Sequence, residues 1–293
     1  MRAGLLAGLR IGVVGIGIGI GIGIGLTAFG GACVHAPPVV RPYPAPTADA
    51  LTAALAARQH ALFGMNARAR ATSWLGGERV RATVNMLVER DGRLRFEAEV
   101  SLQGTVAALV TDGPSFAFLD VRHNELSRGP ACPANVASLV RIPLAPVDVA
   151  AVLLGDARLP ASAPGAAPPT VSWDPQRGAD VLAVRDLEGG TLQLFFRGSA
   201  GANGPGDLIA VVRSGANGAR LWQASYESFE TIAGRHLPGT IRFAERDSSF
   251  DDGVEIRFKD RTLDEPPPPA AFTLTPPRGV VVKDIGCGRG PGP

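Results

Sequence analysis

Cysteine is scarce in this chain, with three in 293 residues and no Cys-x-x-Cys pair among them. That excludes a disulfide-dense scaffold and removes the usual structural zinc donors. A charge block of one sign is also missing: 29 basic residues face 27 acidic ones, a formal net charge of +2. Electrostatics therefore give no footprint for nucleic acid. Histidine is sparse and scattered. His35 lies in a Pro-rich stretch, and His60 has no His or Glu at metal spacing. His123 sits beside Asp120 and Glu125, as at a solvated strand end, and His236 stands apart. There is no Gly-x-Ser-x-Gly elbow, and Cys132 has no evident histidine partner. "DSSFDD" (247–252) lacks the spacing of a calcium loop and reads as a solvated hairpin turn. Catalysis is not expected from these residues. Glycine (37) and proline (25) are plentiful, but they cluster in the opening segment, at 36–46, 160–169, 198–206, 265–277 and the tail. Between the clusters the chain reads as globular, and 45% hydrophobic content suffices for one large domain or two small ones.

The opening stretch "IGVVGIGIGIGIGIGLTAFGGACVHAPP" (11–38) admits four readings. A strand is disfavoured because isoleucine alternates with glycine rather than with polar residues. A dinucleotide loop needs a following helix and an acidic ribose ligand, and neither follows. The apolar run from Ile11 to Ala32 is long enough to span a membrane. It also has the parts of an export signal: Arg2 and Arg10, an apolar run, then Gly30, Gly31 and Ala32. Cys33 separates the last two readings. Small residues followed by Cys after an apolar run resemble a bacterial lipobox, with Gly30 standing where Leu is usual. The resemblance implies a diacylated Cys33 at the start of the mature chain, with an uncleaved anchor and ordinary signal cleavage as alternatives. Loss of Arg2 and Arg10 from the 29 basic residues would leave the mature chain formally neutral against its 27 acidic ones. Val34 in place of Asp implies, by resemblance to proteobacterial sorting rules, the outer membrane with the chain on its periplasmic side. In that oxidising compartment Cys132 and Cys287 are expected to form a disulfide, the alternative being two unpaired thiols.

Residues 33–48 read as a Pro-rich, extended tether. A helix follows, capped by Thr47 or Asp49, with Leu51, Leu55, Leu62 and Phe63 at helical spacing and Gly64 at its end. From Arg79 the period is two, as Val80, Ala82, Val84, Met86 and Val88 alternate with polar partners. Asp91-Gly92 turns the chain into a return strand of Leu94, Phe96, Ala98 and Val100. "TVAALVTD" and "SFAFLDVR" continue an antiparallel meander. Two short helices are predicted next, beginning at Pro133 and Pro146 and ending by Gly155, and then a Pro/Ala linker at 160–169. Strands resume through "VLAVRDLEGGTLQLFFRG" to "GVEIRFKD". The pattern is α+β, with ten or eleven strands and a few helices packed on one face. One domain is preferred, because neither half closes a sheet alone.

This order, with its ending "LPGTIRFAERDSSFDDGVEIRFKDRTLDEPPPPAAFTLTPPRGVVV", resembles the LolA/LolB superfamily, nearest its LolB-like outer-membrane lipoproteins. The resemblance implies an incomplete antiparallel β-barrel of about eleven curved strands whose open side is plugged by helices. It divides the chain into a signal peptide (1–32), a tether (33–48), a lipid-binding domain (49–285) and a Gly/Pro tail (286–293). It implies an apolar cavity that takes acyl chains or lipoproteins, with a soluble LolA-like carrier as a possible partner and no cofactor. Candidate cavity residues are Val84, Met86, Leu94, Phe96, Phe116, Phe118, Leu194, Phe196, Trp222, Ile241 and Phe243. Candidate lid residues are Leu139, Ile142, Leu144, Val149, Val152, Leu153 and Leu154. Taken singly, each reads first as an ordinary core residue, and a packed core would suit a non-catalytic subunit of an envelope complex. "TSWLGGER", with Trp74 and Leu75, is the local candidate for the exposed membrane-delivery loop of LolB.

Overall fold

The first helix begins where an oxygen is available to cap it. In the computed structural model Oγ1 of Thr47 accepts from the Ala50 amide at 3.1 Å, opening α1 (Ala48–Ala61). Leu51 and Leu55 form its buried side. Leu62 lies beyond the helix and is buried, whereas Phe63 is half exposed. The structure describes residues 39–75, 78–100, 103–161, 165, 167–198, 206–246 and 253–288. The opening Gly/Ile run, Cys33, the "DSSFDD" turn, Gly76 and Gly77 of "TSWLGGER", part of the 160–169 linker and the last residues of the tail lie outside them.

Six strands follow α1: β1 (Gly64–Leu75), β2 (Glu78–Glu89), β3 (Arg93–Val100), β4 (Gly104–Asp112), β5 (Ser115–Asp120) and β6 (Glu125–Pro130). Two helices come next, α2 (Pro133–Val140) and α3 (Pro146–Leu153), each with proline in its first turn. The chain then returns to strands: β7 (Thr170–Asp174), β8 (Ala179–Arg185), β9 (Thr191–Arg197), β10 (Leu208–Ser214), β11 (Arg220–Ile232), β12 (Arg235–Glu245), β13 (Val254–Leu263) and β14 (Val281–Asp284). Among the described residues all belong to one sheet of 14 strands, in the order β14-β6-β5-β4-β3-β2-β1-β13-β12-β11-β10-β9-β8-β7. Its neighbours are antiparallel except β14 and β6, which run parallel. The sheet is curved and open, with β14 and β7 at its ends.

The described residues form fourteen strands where roughly eleven were expected, and each one missed has a local cause. In β1 the inward residues are mostly alanines (Ala67, Ala69, Ala71), whose alternation with Asn66, Arg68 and Arg70 is a weak hydrophobic signal. Gly64, expected to end the helix, is the first residue of β1. β6 ends in Gly129-Pro130, which reads as a break. β7 is only 5 residues long, and β14 is exposed along its whole length. Gly129 has a tertiary explanation. A Cβ there would lie 2.0 Å from the Ile285 carbonyl oxygen, where the chain leaving β14 passes.

The turn between β2 and β3 shows why its glycine is needed. Gly92 has φ +93°, a conformation that costs glycine little, and a Cβ there would meet Val147 at 2.9 Å. The concave face of the sheet carries the core, a single cluster drawn from strands of both halves and from all three helices. The convex face is charged over β3 and β11–β13, with Arg95–Glu97 at 2.5 Å and Glu255 held between Arg242 and Arg257, whereas over β8–β10 it carries a small buried cluster of Ala179, Val181, Phe195 and Ala210.

Both ends of the described chain are strapped to that outer face or to the sheet's edges. Residues 39–43 of the Pro-rich segment are docked, not free. Arg41 pairs with Asp180 at 2.7 Å, Tyr43 donates to the same carboxylate at 2.9 Å, and Trp173 donates to the Val39 carbonyl at 2.8 Å. Burial, and then the Asp180 carboxylate, push the Tyr43 phenol up to about 12, so it remains a donor across the neutral range. The C-terminal segment leaves β13 and crosses the convex face. Arg95 donates to the Ala271 carbonyl at 2.8 Å, and Phe272 is buried under the Arg93 guanidinium. It ends as β14 beside β6, where Cys287 joins Cys132, with Cα atoms 6.0 Å apart. The position assigned to the tail from 286 thus includes an anchored residue.

Candidate functional site

The structure gathers every predicted cavity and lid residue around the one concave core. Met86, Leu94, Phe96, Phe116, Leu194, Phe196, Ile241 and Phe243 are buried within the cluster, as is Val84 at its margin. Phe118 and Trp222 pack against it while partly exposed, Trp222 stacking on Phe243 at 5.9 Å between centroids. Of the lid set, Ile142, Val149, Val152, Leu153 and Leu154 are buried in the same cluster, and Leu139 and Leu144 are partly buried against it. α3 lies over β2 and β3, and α2 over β4 and β5. Tyr226 belongs with this set although the sequence reading passed over it: its side chain is 1% exposed and donates to the Asp156 carbonyl at 2.9 Å.

The packing is not uniform along the strands. One cross-strand row of the concave face is bulky, running from Met86 to Phe96, Leu109 and Phe118. The next row, roughly 7 Å along the strands, is Ala69, Val84, Ala98 and Ala107. Ala71 and Ala82 are paired one step further on. Methyl groups in place of rings and leucines leave a trough, and α2 covers only part of it. The result is a groove of about 280 Å³ between α2 and β1–β4, floored by alanines and walled by Val100, Val106 and Leu139. Val80, 50% exposed, stands at its mouth. Val84 and Leu139 are the predicted cavity and lid residues that line it.

The rim is polar and mainly basic, with Arg81, Arg122 and Arg141 around Asp120. Burial raises the Asp120 carboxyl, but hydrogen bonds from the His123 ring and amide outweigh it and hold the group below its ordinary range. Arg141 closes α2 with φ 57°, a left-handed cap. At the other end of the helix Cys132 is its N-cap residue, so the disulfide pins the end of α2 away from the groove. Trp74, from the predicted membrane-delivery loop, lies in β1 with Arg79 over its ring at 5.5 Å. His60 is exposed, and His236 is bonded to Asp207 at 2.7 Å with its ring tilted against Phe229 at 5.4 Å between centroids. Among the described residues no three His, Cys, Asp or Glu side chains are grouped to hold a metal, and no helix is long and apolar enough to cross a membrane.

This architecture, one curved open sheet with three helices on its concave face among the described residues, is similar in fold to a solved LolA superfamily protein. The crystal structure of a LolA superfamily protein from Nitrosomonas europaea matches 76% of this chain and 97% of its own at TM-score 0.50 and 14% sequence identity. A DUF1329 family protein from Desulfovibrio piger matches 75% of this chain and 95% of its own, at TM-score 0.48 and 11% identity. A domain from Vibrio parahaemolyticus described as an outer membrane lipoprotein-sorting protein matches 77% and 97%, at TM-score 0.46 and 10% identity. At these identities the likeness is one of fold, and it rests on the first of the three. No protein-family model matches the chain, and neither does the sequence of any curated protein.

Proposed function

We propose that the chain is a lipid-anchored envelope protein that binds an acyl chain, free or carried by a lipoprotein, in the groove between α2 and the alanine floor of β1–β4. The observation that carries this reading is the stepwise change from a bulky to a small concave row beside a helix that covers it incompletely. An apolar trough of that kind is left unfilled by the protein's own side chains and suits a flexible hydrocarbon. The basic rim suits the phosphates of a membrane from which the chain would be collected or to which it would be delivered. Binding and transfer need no catalytic group. Acylation of Cys33 would place the protein on the outer membrane facing the periplasm, where a soluble LolA-like carrier is the natural donor.

Bound lipid is sought by mass spectrometry on a soluble form beginning at Pro37, which retains Arg41 and Tyr43. Expected is co-purifying lipid, and a fluorescent fatty acid that binds the parent chain but binds Ala98→Trp at least about tenfold more weakly, roughly 1.4 kcal/mol. A parent chain free of lipid that ignores the probe would instead favour a non-catalytic interaction subunit. That second reading has its own support in the closed packing of the remaining core, where Leu94, Leu194, Ile142 and Val149 are 0% exposed. The anchor is checked separately. Where the signal of Cys33→Ala is still cleaved, the variant should leave the membrane, and a parent chain that is retained without taking up an acyl label would argue for an uncleaved helix.

A further inference from the structure

The opposite end of the β1–β2 hairpin carries a second, chemically different site. Gly64 and Ser73 lie on one strand, so the two ends are separated by roughly 30 Å. There the ends of α1 and α3 meet the start of β12 and enclose a pocket of about 180 Å³. Its walls are Ala61, Leu62, Leu154 and Leu237, and three arginines, Arg58, Arg90 and Arg235, enter it together with His236 and Asp156. Two of the arginines are already neutralised. Arg90 pairs with Asp156 at 2.9 Å, and Arg235 pairs with Asp264 at 2.7 Å. His236 is matched by Asp207 at 2.7 Å.

Arg58 is different. Its Nη2 donates to the Gly155 carbonyl at 3.2 Å, and among the described residues no carboxylate lies within ion-pair distance of it. Its Nε is sealed from solvent and donates to nothing. Its nearest acid is Asp156, whose carboxyl Arg58 helps to lower but which is bonded directly to Arg90. A guanidinium held partly out of water with no anion in direct contact is costly, and its forked donors match a carboxylate or phosphate in two contacts. Two carbonyls just beyond the helix ends are engaged, that of Gly155 by Arg58 and that of Leu62 by Arg90 at 2.9 Å. The pocket is smaller than the roughly 300 Å³ at which drug-sized ligands begin. We propose that this pocket binds an anionic oxygen group, a phosphate or carboxylate, whose apolar attachment lies against Leu62, Leu154 and Leu237, with Arg58 as the anion-binding residue. The proposal does not rest on the acyl groove, which lies at the other end of the strands.

The test uses the full-length protein in a neutral detergent, titrated calorimetrically with hexyl phosphate, inorganic phosphate and hexanol. Hexyl phosphate is expected to bind, to weaken about tenfold or more in Arg58→Gln, and to weaken with added salt. Arg58→Lys keeps the charge without the fork, so intermediate affinity is expected there. Its binding also separates loss of the anion contact from loss of folding. Hexyl phosphate tighter than inorganic phosphate supports an amphiphile head group, and equal affinity supports a free phosphate; both require Arg58. Ala98→Trp should leave hexyl phosphate binding unchanged even where it abolishes acyl binding. The proposal falls if hexyl phosphate does not bind the parent protein. It also falls if Arg58→Gln and Arg58→Lys both bind as the parent does, or if binding is lost in Ala98→Trp instead.

Discussion

Replacing Cys132 and Cys287 together by serine is expected to lower the unfolding free energy by about 5 kcal/mol. The bridge closes a separation of 155 residues, spanning α2, α3 and most of the second half of the sheet. A loop of that size restricts the unfolded chain strongly, and loss of that restriction is the source of the estimate. The native contacts around the bridge replace little of it. β14 has only 4 residues, all exposed, and its ion pairs, Arg128–Asp284 at 2.6 Å and Lys283–Glu125 at 2.5 Å, lie at the surface. Such exposed pairs contribute about 0–1 kcal/mol each. Ile285 packs against the core, and Phe272 is buried further back along the segment. Reduction is therefore expected to free β14 before the rest of the fold. Urea melts under oxidising and reducing conditions measure the loss. Hydrogen exchange should show the β14 and β6 amides opening first. A change below about 1 kcal/mol would mean that the strap is held by packing alone.

Arg90→Ala is expected to cost about 3–5 kcal/mol at neutral pH, because it strands a buried carboxylate. Arg90 joins three elements. Its amide donates to the Phe63 carbonyl at 2.8 Å, its Nε to the Leu62 carbonyl at 2.9 Å, and its Nη1 to Asp156 at 2.9 Å. The Asp156 side chain is 2% exposed. Burial raises its carboxyl above the ordinary aspartate range, while the Ala157 amide and Arg90 pull it down without cancelling the rise. A carboxyl raised by folding contributes stability that is fully present below its unfolded value and is lost as pH rises through its folded value. Removing Arg90 removes one of the lowering influences, so the folded value rises further. The defect should then be largest at neutral pH and shrink on acidification as Asp156 takes up a proton. Arg90→Ala with Asp156→Asn should recover part of the loss at neutral pH. Thermal melts of the single and double variants from mildly acidic to neutral pH provide the measurement. A pH-independent defect would assign the effect to lost packing of the Arg90 side chain instead.

Much of the secondary structure was legible in local windows. Thr47, Pro133 and Pro146 marked the helix starts, Asp91-Gly92 marked the first hairpin, and period two identified the inward residues from Val84 to Phe243. β1 was hidden because alanine barely registers as apolar, yet those same alanines make the groove. β14 was hidden because an exposed strand has no buried face to impose alternation. The Pro-rich segment reads as a spacer until Trp173, Asp180 and Tyr43 are brought together across more than a hundred residues. By itself, then, the sequence determined which residues turn inward, where helices begin, and which two cysteines were available to pair. Tertiary structure decided that β1 lies against β13, that small residues from four strands line up beside α2, and that Arg58 enters its pocket bonded to the Gly155 carbonyl, with Asp156 bonded to Arg90 instead. The physical reason is that alternation specifies only the face of a strand to which a side chain belongs. Its neighbours across the sheet depend on register between segments distant in the chain, and no local window contains that register.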